Sequence, residues 1–123
     1  MHAPQYRETL FSKLYPGNTH SCPAYIPVVQ STDCFLQLTS EQKARTVMRS
    51  DSGFGSDYNI DYVLDEGWQI LTKSYGGKRS ARLLRELPQT DWLAISGNRW
   101  VAPAFHPPIY LKPVQYLLLK WLN

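Results

Sequence analysis

The segment from Asp61 to Gly77, Asp-Tyr-Val-Leu-Asp-Glu-Gly-Trp-Gln-Ile-Leu-Thr-Lys-Ser-Tyr-Gly-Gly, carries the densest set of local structural signals in this chain. Asp65 reads as a helix N-cap, because its carboxylate can accept from the orphan amides of the following turn. Glu66 places negative charge where a helix dipole favours it. Trp68, Leu71, Thr72 and Tyr75 fall at i, i+3, i+4 and i+7, so one helix face would gather two aromatic rings and a leucine. Gly76 and Gly77 then supply the residue type that ends a helix at little steric cost. These signals predict a strand end over 60–64, a helix over 66–75 and a glycine stop.

The chain has 123 residues, 43% of them hydrophobic and 13% aromatic, with a formal net charge of +3. That is one domain's worth of chain with material for its own core, and it excludes a wholly disordered protein. The charge is too modest to imply nucleic acid by itself. No apolar run approaches the length of a membrane span, and residues 1–16 lack the apolar centre of a secretory signal. Cys22 and Cys34 therefore read as reduced thiols of a cytoplasmic or nuclear protein that does not engage membranes.

Residues 1–30 differ in texture from the rest, with Pro4, Pro16, Pro23 and Pro27 and a turn signal at Pro16-Gly17-Asn18. Prolines at this density disfavour long helices and central strands. The segment reads as an N-terminal arm, with a short helix from about Gln5 to Leu14, ahead of a domain over 31–123. Within that domain, 31–38 has the look of a strand through Cys34-Phe35-Leu36. Thr39 and Gln42 have capping-box spacing, opening a helix whose apolar side is Ala44, Val47 and Met48. Residues 50–56 form a Gly/Ser-rich loop. Residues 82–87 read as helix by propensity. Residues 92–102 read as a hairpin around Ser96-Gly97-Asn98-Arg99, and 109–120 as a closing strand, with Pro113 favouring an edge or a bulge. The fold class is α+β, two or three helices on a small, mostly antiparallel, three-stranded sheet.

Several constellations bear on chemistry. His20, Cys22, Cys34 and His106 are metal-ligand types, but only the first two are close, without the paired spacing of structural zinc. No metal or cofactor is expected. Cys34 with His20 or His106 is a thiol–base pair on paper, yet nothing local activates the thiol. Gly76-Gly77-Lys78-Arg79-Ser80 lacks the earlier glycine of a phosphate-binding loop. The basic cluster Lys73, Lys78, Arg79, Arg82, Arg85, with Arg99, can meet phosphates, and Trp68 and Tyr75 could stack bases beside it. A solvated rim is the commoner meaning of such a run.

Asp61-Tyr62, Trp68, Leu71 and Tyr75-Gly76-Gly77, followed by Arg82-Leu83-Leu84-Arg85, resemble the DUSP domain found in ubiquitin-specific proteases. The run from Ile109 to Lys120 is similar to that family's closing strand, which also makes 82–87 a strand by analogy. Lys78 and Arg79 stand where the family has Gly-Pro. The paired N-terminal tryptophans are missing, and the family's Pro-Gly-Pro-Ile is echoed only by Ile26-Pro27-Val28-Val29. The resemblance covers about half the chain. It implies a noncatalytic platform of the ubiquitin pathway that binds protein partners. The surface expected for this joins Tyr75, Gly76, Gly77, Lys78 and Arg79 to Ile26, Pro27 and Val28. A structural subunit and a nucleic-acid-binding module using residues 73–85 remain alternatives, and an enzyme ranks last.

Overall fold

Residues 21–36, where an arm and then a strand were expected, form the longest helix of the computed structural model, which describes residues 2–3, 8–9, 12–73, 77–88, 91–104 and 116–121. The described residues form an α+β structure in two compact units, Met1–Tyr75 and Gly76–Asn123. In the first unit the elements are β1 (His2–Ala3), β2 (Glu8–Thr9), α1 (Ser21–Leu36), α2 (Ser40–Ala44), β3 (Val47–Arg49), a 3-10 turn (Ser52–Phe54), α3 (Asp57–Asp65) and β4 (Gln69–Leu71). The second holds α4 (Gly77–Glu86), β5 (Leu93–Ser96), β6 (Arg99–Ala104) and β7 (Tyr116–Trp121).

Helix α1 forms despite Pro23 and Pro27. Pro23 lies in the first turn, where a missing N–H costs nothing. Pro27 is internal and cannot donate to the carbonyl one turn back. The compensation is burial. Tyr25, Val29 and Thr32, at i, i+4 and i+7, form one buried stripe, and Leu36 packs behind them. Thr32 and Ser31 tie their hydroxyls to the carbonyls of Val28 (2.8 Å) and Pro27 (2.9 Å). The helix stops at Gln37, a left-handed residue whose N–H donates to Asp33 O. An arm ending at residue 30 and a strand over 31–38 are thus both replaced by one helix. Of the helix expected over 5–14, Glu8–Thr9 instead pairs antiparallel with His2–Ala3. Ser12–Leu14 is not helical, and the remaining positions lie outside the described residues.

Thr39 and Gln42 close the anticipated capping box in both directions. The helix they start is one turn long, however, and Val47 and Met48 continue into β3 rather than lining a helix. Strands β3 and β4 are parallel, Val47 opposite Gln69 and Arg49 opposite Leu71, so the chain between them must cross over. It does so through the 3-10 turn and α3. Ser56 caps α3 by accepting from Asn59 N at 3.2 Å. The helix buries Asn59, Ile60, Val63 and Leu64, a helical period where a strand was expected.

Helix α3 ends where another helix was expected to begin. Gly67 (φ +90) leaves Trp68 N donating to Val63 O and Gly67 N donating to Leu64 O, both at 3.1 Å. That is the Schellman pattern, with its accompanying apolar contact between the residues three before the cap and two beyond it. Here those residues are Val63 and Trp68, members of one core cluster with Tyr25, Val29 and Met48. Trp68 is 2% exposed, as a core anchor should be, but it sits at a helix exit, and Leu71 is exposed on β4.

In the second unit, Gly77 opens α4 instead of closing a helix, and 82–86 is helical. The hairpin forms, but its turn is the two residues Gly97 and Asn98 rather than the four-residue loop expected over 96–99. Leu93 pairs with Val101 and Ser96 with Arg99 around a turn containing Gly97, with a bulge between Ala94 and Ser96. Strand β7 pairs antiparallel with β6 and completes the three-stranded sheet. Its described part starts at Tyr116, so Pro113 lies outside the described residues.

Candidate binding surfaces

Helix α4 concentrates basic charge. Lys78, Arg79, Arg82 and Arg85 lie at i, i+1, i+4 and i+7, which gathers four cations into about a third of the helix circumference. Leu83, which follows Arg79 around the helix at the edge of that arc, is buried. Lys78, Arg82 and Arg85 are exposed and Arg79 is half-buried. Glu86 interrupts the arc by pairing with Arg82 Nε at 2.9 Å, a bond open to solvent and therefore worth little. Gly76–Asn123 carries seven Lys/Arg against two Asp/Glu, a net +5, whereas Met1–Tyr75 carries six against eight, a net −2. The modest overall charge thus conceals a strong asymmetry.

The expected site residues are distributed as follows. Gly77, Lys78 and Arg79 form the first turn of α4. Tyr75 and Gly76 lie outside the described residues. Ile26, Pro27 and Val28 are half-buried within α1, not on an extended arm. Val28 lines a recess of about 330 Å³ together with Tyr15, His20 and Phe54. The sheet of the second unit also presents apolar side chains. Leu93 pairs with Val101 and Pro103 with Leu117, so these four share one side. Leu93 and Leu117 are 65% and 61% exposed.

The first unit has a cleft that the sequence reading did not anticipate, with a volume of about 470 Å³. Its walls are the last turn of α1, Lys43 of α2 and the end of α3, with the half-buried Leu38 supplying apolar surface over the buried Val29. Lys43 Nζ donates to Asp33 Oδ2 at 2.7 Å, the two side chains being 15% and 31% exposed. The same ammonium lies 5.5 Å from the centroid of the Trp68 ring, a cation–π distance. Lys43 is thus held from two sides.

The electrostatics of the cleft run against ordinary helix design. Neither α1 nor α3 has a basic residue in its last turn. Helix α3 instead ends in Asp65 and Glu66, carboxylates at the negative end of a dipole, each costing about 0.3–1 kcal/mol. This sign is why Asp65-Glu66 read as a helix start. The clue that would have corrected it is Gly67, a suitable stop directly after the acidic pair.

In the core of the same unit, burial raises the Tyr25 phenol above its ordinary pKa of 10.0, with the Ser50 hydroxyl opposing the shift. Neither hydroxyl closes a hydrogen bond of normal geometry. Cys22 and Cys34 are free thiols. Among the described residues no three His, Cys, Asp or Glu side chains are grouped to hold a metal ion, and no helix is long and apolar enough to cross a membrane. His106 lies outside the described residues.

No protein-family model, curated protein or solved structure matches this chain.

Proposed function

We propose that this chain is a noncatalytic protein-interaction module that docks on an acidic protein surface through the basic face of α4. The supporting observation is the single arc of Lys78, Arg79, Arg82 and Arg85, within a unit of net charge +5. Complementary charge of this kind steers encounter and selects partners. A protein partner is favoured over nucleic acid by two further observations. Trp68, which would have stacked bases, is a core residue. The same unit also exposes Leu93 and Leu117, and apolar surface of this kind suits a protein interface. A place in the ubiquitin system, and a cytoplasmic or nuclear setting, are the narrower form of this reading, resting on the family resemblance and the cysteine usage.

The test is binding of a synthetic Asp/Glu-rich peptide and of single- and double-stranded oligonucleotides across a salt series, for the wild type and for Lys78→Glu with Arg85→Glu. Both positions are exposed on α4, so the fold should survive. The peptide should bind, and lose roughly tenfold or more in affinity in the double variant, as charge-assisted contacts do. Micromolar oligonucleotide affinity near physiological salt, with a steep log–log salt slope and loss in the double variant, would replace this reading with a nucleic-acid one.

A further inference from the structure

We infer that the cleft of the first unit binds an organic cation, a primary ammonium or a guanidinium, with Glu66 as its principal charged contact. The volume of about 470 Å³ is in the range of small-ligand sites, where an apolar wall and a few convergent polar groups fix one functional group. The half-buried Leu38 supplies the wall, with the core residue Val29 beneath it; Gln30, Gln37, Tyr62 and Glu66 supply polar atoms.

The choice of a cation follows from the balance of charge. Asp33 and Lys43 neutralise each other at 2.7 Å. Glu66 has no ion partner among the described residues. The last turn of α1 and the cap of α3 both contribute to the lining, and a helix C-terminus carries about half a unit of negative charge. The cleft is therefore net negative, and its own lysine is already committed to Asp33 and to the face of Trp68. Acidic residues at the end of α3 work against that helix. Local rules broken in this way are concentrated at functional sites, and a bound cation would convert the unfavourable carboxylate into a favourable contact. Anionic ligands meet the opposite field.

The chemistry can come from a free amine or from a Lys or Arg side chain of a peptide, so the test has both arms. Calorimetry would measure 1,4-diaminobutane and the tripeptide Gly-Arg-Gly, with 1,4-butanediol as the uncharged isostere and succinate as the anion. Amide chemical-shift mapping would locate the site. Saturable binding of the diamine or the tripeptide is expected, with shifts at Gln37, Tyr62 and Glu66 and none with the diol or succinate. Whichever cation binds more tightly identifies the source. Glu66→Gln, at an exposed position, should weaken binding by about tenfold or more with a melting temperature that does not fall, since the lost charge opposed the helix dipole. Lys78→Glu, on the other unit, should leave it unaltered. Equal binding of the diol, stronger binding of succinate, shifts located elsewhere, no saturable binding by either cation, or an unchanged affinity in Glu66→Gln would each overturn the inference.

Discussion

Asn59 is the residue on which the first unit converges. Its Nδ2 donates to Cys22 O and to Phe54 O, both at 3.1 Å, tying the start of α1 and the 3-10 turn to α3. The side chain is 2% exposed, so Asn59→Ala leaves two inward-facing carbonyls without their donor. A loss of about 2 kcal/mol is expected, read as a lower urea midpoint. Trp68→Ala should cost more, about 3–5 kcal/mol, comparable to the whole stability of a small domain; an unchanged melting temperature would show that the ring does not carry the core. Tyr25 supplies a pH signature. Its folded pKa is raised above 10.0 by burial, so above pH 10 the unfolded state releases the phenolic proton more readily. Stability from this group is intact below pH 10 and declines as pH climbs toward the folded pKa. Tyr25→Phe should remove that part of the alkaline loss, measured by chemical denaturation between about pH 8 and 11 around the ordinary tyrosine value.

At the scale of elements, the exit from α3 concentrates two opposing effects. Gly67 holds φ +90, and a Cβ placed there meets no atom within 4 Å. The penalty for Gly67→Ala is accordingly one of backbone conformation, about 1–2 kcal/mol, visible in thermal unfolding. Asp65, one residue before the cap, is exposed and has the wrong sign for a helix C-terminus. Asp65→Lys should therefore stabilise the unit by about 0.3–1 kcal/mol. A destabilised variant would mean that the carboxylate makes a favourable interaction instead. The capping box of α2 gives a comparison from the other end of a helix, since Thr39 there accepts from Gln42 N with the side chain in its favoured role.

For the molecule as a whole, the decisive property is the separation of charge between Met1–Tyr75, net −2, and Gly76–Asn123, net +5. Two units of opposite sign suit two kinds of ligand, and each proposed contact should weaken with salt as exposed charges are screened. The noncatalytic reading has its own check. The chain alone should leave a fluorogenic ubiquitin substrate uncleaved, and turnover abolished by Cys34→Ala would refute it.

The sequence by itself determined the features whose partners are close along the chain. The Thr39–Gln42 box and the hairpin from Leu93 to Ala104 are completed by residues within a few positions of each other, so local chemistry specifies them. The α+β class and the basic run 78–85 were legible from residue type and spacing. Trp68 is buried as its type suggests but not through the helical spacing over 66–75, since 69–71 is a strand and its core partners include the distant Tyr25, Val29 and Met48. Tertiary structure alone decided the rest. Ile60, Val63 and Leu64 fit a strand or a helix until α1 and β4 supply the surfaces that bury one face of a helix. Ile26-Pro27-Val28 looked extended because proline forfeits a hydrogen bond, and the burial of Tyr25, Val29 and Thr32 outweighed that loss. Asp65-Glu66-Gly67 holds signals for both a start and a stop. The core contact between Val63 and Trp68 selects the stop, and in doing so brings Glu66 beside the last turn of α1 to make a cleft that no local pattern contains.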